Sequence, residues 1–291
     1  MAALLDVLSA FSTSVVTFNT LKPQHITCDN IYAGNNVVVC RCMEQTHGME
    51  MALRCYPRRR RNVAAIYGRR YLPDDLTIRA INNVREVLDV VAMPWVDGVS
   101  LDKLLGKPRA DYCKLSHAFD RVALGLLSAP RAHGDVKPAN IMLSEDGEVK
   151  IGDFDLAEIN TDSNTSDVCG WASLAYVSSE RIISGKEDYR GDIFSLGASA
   201  YELLTGEYPF GNSGSAEELL ERRRKKNFEP AHLLNSTVPA AISAFLYEMM
   251  AFKPSERPSY PEIINMFKSA GKMREKEHSG KTLFPFFSKN S

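Results

Sequence analysis

The chain has no excess of charge of either sign: 35 basic side chains stand against 36 acidic ones, a net of −1 over 291 residues. No global field draws it toward nucleic acid or an anionic membrane. It has no apolar run approaching the roughly 20 residues that span a bilayer. The opening stretch, Met1 to Val16, is mildly apolar, but it lacks a basic leader and carries Asp6 inside the apolar part. A short packing helix is expected there rather than a signal peptide. Cysteine is sparse. Cys28, Cys40, Cys42, Cys55, Cys113 and Cys169 show neither paired C-x-x-C spacing nor a dense framework. That argues against a zinc module and a disulfide scaffold, and points to reduced thiols in a cytoplasmic protein. No internal repeat is present.

What is there reads as an ordinary globular protein. Hydrophobic residues make up 44% of the chain, enough for a sizeable core, and the length suits one large domain or two lobes around a cleft. The first part, Ile26 to Met93, reads mostly as strands. Val37–Cys42 and Met49–Cys55 are β-rich runs split by the turn-like Gln45–Gly48, and Leu76–Ile81 and Val87–Met93 form a second pair around Asn82–Asn83. Between the pairs, Arg58 to Arg70 reads as a helix. The second part is mostly helical. Leu115, Phe119, Val122, Ala123 and Leu126 recur at helical spacing. Asp192 to Leu204 opens on an acidic residue suited to a cap and ends at Thr205-Gly206. Ala240–Phe252 and Tyr260–Ala270 are further helices, the second with Pro261 in its first turn.

The most informative stretch is His133-Gly134-Asp135-Val136-Lys137-Pro138-Ala139-Asn140, followed 13 residues after Asn140 by Asp153-Phe154-Asp155 at the end of an apolar run. Phosphoryl transfer from ATP needs a carboxylate to orient the acceptor hydroxyl and a cation on the moving phosphate. It also needs an amide and a second carboxylate to hold magnesium. Asp135, Lys137, Asn140 and Asp153 supply these four groups. The set resembles the catalytic loop and metal-binding motif of the eukaryotic-type protein kinases. Two departures stand out: Gly134 replaces the usual Arg before the Asp, and Asp155 replaces the usual Gly after the Phe.

The resemblance implies an α+β, two-lobed protein kinase-like fold. It has a small antiparallel β-rich N-lobe (26–93) and a larger, mostly helical hinge and C-lobe (94–270), with an extension at 1–25 and a tail at 271–291 expected to be disordered. It implies that Asp135 orients the substrate hydroxyl, Lys137 neutralises the moving phosphate, and Asn140 and Asp153 hold Mg²⁺ or Mn²⁺. Ala52 and Met142 would line the adenine slot. Met93–Leu101 resembles the hinge; Pro94 has no N–H, so Trp95 or Val96 must donate to the adenine edge. A His-Gly-Asp loop also occurs in small-molecule kinases related to the aminoglycoside kinases. The helical part separates the two classes: Ala172–Glu180 resembles the end of a protein kinase activation segment. There Ser173 stands where Ser/Thr kinases carry the hydroxyl that bridges the catalytic Asp and Lys. Asp192–Gly197 resembles the buried helix that anchors the catalytic loop. Pro254–Ser259 resembles the site of an arginine, here Arg257, that pairs with Glu180, and a buried pair is expected over two solvated charges because unpaired charges seldom sit in such apolar contexts.

The β-rich part departs furthest from the family. A phosphate-cradling loop should offer several glycines, and only Gly34 is present in Tyr32–Val37, beside Asn35 and Asn36. Arg54 stands where the strand lysine for the α- and β-phosphates belongs, an exchange that is not conservative. No Asp or Glu occurs between Arg54 and Asp74, so the usual helix Glu partner is missing or rewired, with Asp74, Asp75 and Glu86 nearest by sequence. Arg58–Arg61 and Arg222–Lys226 read as solvated helix faces, and Leu283-Phe284-Pro285-Phe286-Phe287 closes a polar tail. The implied activity is an ATP-dependent protein serine/threonine kinase, slowed by its altered N-lobe, acting on protein substrates without nucleic acid or a membrane span. The competing class is a pseudokinase that binds nucleotide or scaffolds.

Overall fold

The computed structural model describes residues 16–18, 25–34, 37–43, 50–56, 71–79, 85–105, 112–129, 131–152 and 174–275. They separate into two units, divided between Val96 and Asp97.

The first unit is a six-stranded antiparallel sheet. Its strands are β1 (Val16–Phe18), β2 (His25–Gly34), β3 (Val37–Met43), β4 (Glu50–Tyr56), β5 (Tyr71–Arg79) and β6 (Arg85–Pro94), in the order β1-β5-β6-β4-β3-β2. The two expected strand pairs form, β3 with β4 and β5 with β6, and β4 then pairs with β6 to join them in one sheet. Val16–Phe18, assigned from sequence to the extension, is instead an edge strand on β5. Strand alternation sorts the side chains. Val38, Cys40, Leu53, Cys55 and Val90 lie on one face, all buried. The three cysteines Cys40, Cys42 and Cys55 are free and buried. Burial, with Cys40 beside it, pushes the Cys42 thiol up to about 12, which marks a packing residue and not a nucleophile. The expected helix Arg58–Arg70, with its Arg58–Arg61 run, lies outside the described residues, as do residues 1–15 and the aromatic tail.

The second unit opens with a small sheet, β7 (Gly98–Ser100), β8 (Ile141–Ser144) and β9 (Val149–Ile151), all antiparallel. Its described helices are α1 (Tyr112–Ser128), α2 (Ser179–Ser184), α3 (Tyr189–Thr205), α4 (Ala216–Arg224), α5 (Ala231–Leu234), α6 (Ala240–Met249) and α7 (Tyr260–Glu275). α1 buries Leu115, Phe119, Val122, Ala123 and Leu126, the stripe expected from spacing. Phe119 meets Phe267 of α7 at 5.2 Å between ring centres. α3 is the axis of this unit, buried from Gly191 through Thr205. Its polar residues survive burial because they bond back to the helix: Ser199 Oγ to Ser195 O and Thr205 Oγ1 to Tyr201 O.

Several helix boundaries differ from the sequence reading. α3 starts at Tyr189, capped by Asp188, whose carboxylate accepts from Arg190 N–H at 2.8 Å. Asp192 lies inside the first turn and faces elsewhere. α6 stops at Met249. α7 runs on through Gly271–Glu275, so the first residues assigned to the tail are helical. Among the described residues, no helix is long and apolar enough to cross a membrane.

Candidate active site

The loop between α1 and β8 carries Asp135, Lys137 and Asn140. Lys137 Nζ donates to Asp135 Oδ2 at 2.7 Å. Asn140 Nδ2 donates to the same oxygen at 2.9 Å and to the Asp135 main-chain carbonyl at 2.8 Å. This pattern assigns the nitrogen of the Asn140 amide and leaves its Oδ1 as the acceptor, the kind of atom a hard cation takes. The chemistry of the donor set therefore fits a divalent metal. The 3-10 turn Pro138–Asn140, with proline at its first position, fixes the Asn140 backbone directly before β8.

The loop is held from below. Asp192 accepts two backbone N–H bonds, from His133 to Oδ2 at 2.7 Å and from Gly134 to Oδ1 at 2.8 Å. Burial pushes its carboxyl up to about 7, against those two donors, which pull it down. His133 is fully buried. Its Nδ1 accepts from Asp135 N–H at 3.2 Å and its Nε2 meets Gly152 O at 2.8 Å, so the proton sits on Nε2. Gly152 N–H returns a bond to Asn140 O at 2.9 Å. Gly152 is the residue before Asp153, so the loop and the chain leading to Asp153 are tied by two bonds. Asp153 itself and Ser173 lie outside the described residues.

Gly134 has φ +76°, a left-handed conformation that costs an ordinary L-residue roughly 1–2 kcal/mol. Its carbonyl accepts from Arg181 Nη1. Arg181 also pairs with Glu187 at 2.7 Å, and Ser178 Oγ donates to the other Glu187 oxygen at 2.6 Å. Burial pushes the Glu187 carboxyl up, and Arg181 is the strongest group opposing it. Gly191 makes room: a Cβ there would stand 2.2 Å from Glu187 Oε2. None of this network is marked in the sequence, where Arg181 and Glu187 are two charges among many and only the fold brings them under the loop.

Glu180 and Arg257 meet in a two-pronged pair, both bonds 2.7 Å. Arg257 also donates to Ala251 O at 3.0 Å and Arg190 O at 2.7 Å, and its guanidinium lies over Phe194. The pair joins the end of the activation segment to the turn before α7. The run Arg222–Lys226 is only partly the solvated face expected from sequence. Arg222 bonds the Phe210 and Ser213 carbonyls, and Arg223 is fully buried. Lys225, paired with Glu221 at 3.2 Å, is exposed.

In the first unit, Ala52 and Arg54 share one face of β4 with Tyr56, and both are buried. The Arg54 guanidinium lies 6.0 Å from the Tyr56 ring centre. On the same face, in register with Tyr56, is Asp89, a buried carboxylate that sequence distance did not single out. Gly34 ends β2 opposite Val37; Asn35 and Asn36 lie outside the described residues. The hinge expectation needs one correction. Trp95 N–H donates to Glu50 O at 3.0 Å, and a backbone N–H is a single donor. The Trp95 N–H is therefore taken up within its own unit. Met142, half-buried in β8, alternates with the core residues Ile141 and Leu143.

Removing the Asp192 carboxylate should expose how much the loop depends on it. Asp192→Ala leaves two buried N–H groups without acceptors, at roughly 1–3 kcal/mol each. A loss of about 2–6 kcal/mol is expected in urea unfolding, with Asp192→Asn intermediate because its amide keeps one acceptor.

With the loop and its buried helix described, the comparison of sequences identifies the family. The protein kinase domain model matches residues 79–267, and the chain belongs to that family. The match begins at the end of β5, so β1–β4, with Gly34 and Arg54, precede it. Over 190 residues the chain is 30% identical to a probable serine/threonine-protein kinase of Clostridium perfringens, covering 60% of this chain and 27% of that protein. It is 36% identical over 146 residues to serine/threonine-protein kinase PknL of Mycobacterium tuberculosis, covering 49% of this chain and 36% of that one. Aurora kinase C of Mus musculus is 33% identical over 132 residues, 45% of each chain. The matched regions thus span between 27% and 45% of these relatives' length.

Proposed function

We propose that the chain is an ATP-dependent protein kinase that transfers the terminal phosphate to serine and threonine hydroxyls of a protein. The observation that carries this reading is the meeting of Lys137 and Asn140 on one carboxylate oxygen of Asp135, at 2.7 and 2.9 Å. Asp135 accepts the proton of the acceptor hydroxyl. The Lys137 ammonium, already beside it, balances charge on the phosphoryl oxygens as they move. Asn140, through Oδ1, and Asp153 would hold Mg²⁺ or Mn²⁺. That ion, when bound, neutralises phosphate charge. In this reading Ala52, Arg54, Val96, Gly34 and Met142 serve the nucleotide, and Ser173 serves the acceptor. The serine/threonine class draws support from the names of the Clostridium and Mycobacterium relatives. The buried free thiols suit a reducing, cytoplasmic compartment.

Incubation with Mg-ATP and a generic basic protein, followed by intact mass and site mapping, tests the reading. A ladder of phosphate additions on Ser and Thr is expected. Additions dominated by tyrosine would overturn the acceptor class. Nucleotide binding with no additions on either protein would favour the scaffolding alternative.

Activity is also expected to be independent of phosphorylation between Asp153 and Ser173. Gly134 has no side chain to receive a loop phosphate, and its carbonyl is already held by Arg181. Replacing Thr161, Ser163, Thr165 and Ser166 together by Ala should change the rate less than about threefold, well under the 1.4 kcal/mol of a tenfold effect. A tenfold drop would refute this.

A further inference from the structure

Arg223 is a buried cation without a carboxylate. It is 0% exposed, and no acid among the described residues lies in ion-pair range. Its charge is instead met by main-chain carbonyls of one short segment. Nη1 donates to Val177 O at 2.6 Å, and Nη2 to Leu174 O at 2.9 Å and Ala175 O at 3.5 Å. Nε is buried with no acceptor. The guanidinium lies over Phe194 at 4.6 Å and Phe210 at 5.7 Å, and Arg257 shares the Phe194 ring at 5.2 Å. Burial and the like charge of Arg257 push Arg223 down to about 9.

Three main-chain carbonyls depend on this one side chain for a donor, and an apolar replacement of similar volume would leave them unmet. What an apolar residue cannot do is hold three carbonyls of Leu174–Val177 at set positions. That segment begins directly after Ser173. It ends where Ser178 bonds Glu187 and Glu180 bonds Arg257. Through Ser178, Glu187 and Arg181 the end of this segment is tied to the Gly134 carbonyl, directly before Asp135, so a peptide that presents its hydroxyl to Asp135 has this segment for a neighbour.

We infer that Arg223 is a positioning residue for the protein acceptor: by anchoring Leu174–Val177 it sets the affinity for the peptide chain and not for the nucleotide. This rests on the reading of the chain as a protein kinase. The contacts act through backbone, so the role belongs to the guanidinium geometry. A lysine, one point charge with three donors, should reproduce part of it.

The test compares wild type, Arg223→Met and Arg223→Lys with Mg-ATP and myelin basic protein, varying each substrate in turn. In Arg223→Met the KM for the protein is expected to rise about tenfold or more. The KM for ATP should move less than about twofold, and Arg223→Lys should fall between. A wild-type protein KM in a folded Arg223→Met, or a parallel rise in both KM values, overturns the inference. Should Arg223→Met fail to fold, Arg223→Lys carries the same test with a smaller split. If the wild type transfers no phosphate, the kinase reading fails on its own. Amide hydrogen exchange then decides the anchoring. Arg223→Met must speed exchange at Ala175–Val177 while His133–Asn140 keeps its protection, and unchanged exchange at Ala175–Val177 refutes it.

Discussion

Asp135→Asn is expected to lower phosphoryl transfer by about 10²–10⁴-fold, the usual contribution of a positioned general base, while nucleotide affinity stays within about twofold, an effect under roughly 0.5 kcal/mol. The substitution isolates proton acceptance because the loop's own bonds outlast it. Asn140 Nδ2 still reaches the main-chain carbonyl of residue 135 at 2.8 Å. The amide oxygen can take over the acceptor role toward Lys137 and Asn140 that Asp135 Oδ2 now fills. The backbone of Gly134 remains fastened to Asp192 at 2.8 Å. Single-turnover transfer to a basic protein, with a fluorescent nucleotide titration beside it, separates the two effects. Full activity in Asp135→Asn would remove the carboxylate from the chemistry and send the search to another base.

The second large effect is expected at Arg54. Lysine is a compact point charge that can sit between α- and β-phosphates, whereas the arginine fork is longer and spreads its charge. Arg54→Lys is expected to raise the single-turnover rate at saturating Mg-ATP. Recovering one well-placed contact in a dry site is worth about 2–4 kcal/mol, on the order of 30- to 1000-fold. A lysine there needs a counter-charge. The helix Glu expected in the family is missing between Arg54 and Asp74, but Asp89 is buried on the same sheet face, opposite Tyr56. Such diagonal positions on neighbouring strands lie roughly 7–8 Å apart, within the span of a long side chain. Arg54→Ala is the control. A lysine form no faster than the alanine form, with wild type fastest, would mean this lobe has built its phosphate clamp around arginine. Its packing over Tyr56 at 6.0 Å would then be part of that clamp.

Breaking the link under the catalytic loop should have a different signature. Arg181→Met takes the cation away from the Glu187 carboxylate, which is 4% exposed in its side chain and keeps its bond from Ser178. Removing one partner of a buried pair costs up to about 3–5 kcal/mol. Glu187→Gln combined with Arg181→Met should recover much of that stability in urea unfolding, since both charges are then gone. The double variant should still transfer phosphate more slowly than wild type, because the Gly134 carbonyl has lost its donor. Recovery of stability and rate together would reduce Arg181 to a packing residue.

Much of this protein was legible from residues alone, and for local reasons. Asp135, Lys137 and Asn140 lie within six positions, so one turn of chain brings them together whatever surrounds it. β-rich runs bounded by turn residues marked β3, β4 and β6, and the stripe Leu115–Leu126 marked α1, because propensity and period are properties of the strand or helix itself. The Glu180–Arg257 pair was legible through the resemblance of Ala172–Glu180 and Pro254–Ser259 to the family's motifs. What tertiary structure decided was every partner chosen across long separations. Asp192 reads as a helix cap by position, and the resemblance of Asp192–Gly197 implied only that its helix anchors the catalytic loop; the fold gives the cap to Asp188 and sets Asp192 on the His133 and Gly134 amides, 59 and 58 residues away. Trp95 looks like a nucleotide donor until β4 claims its N–H. Arg223 looks like one more cation on a solvated helix, and only packing around Phe194 turns it inward onto three carbonyls. A sequence states which groups a chain owns; which of them lose water, and to whom they then bond, depends on contacts that no local pattern encodes.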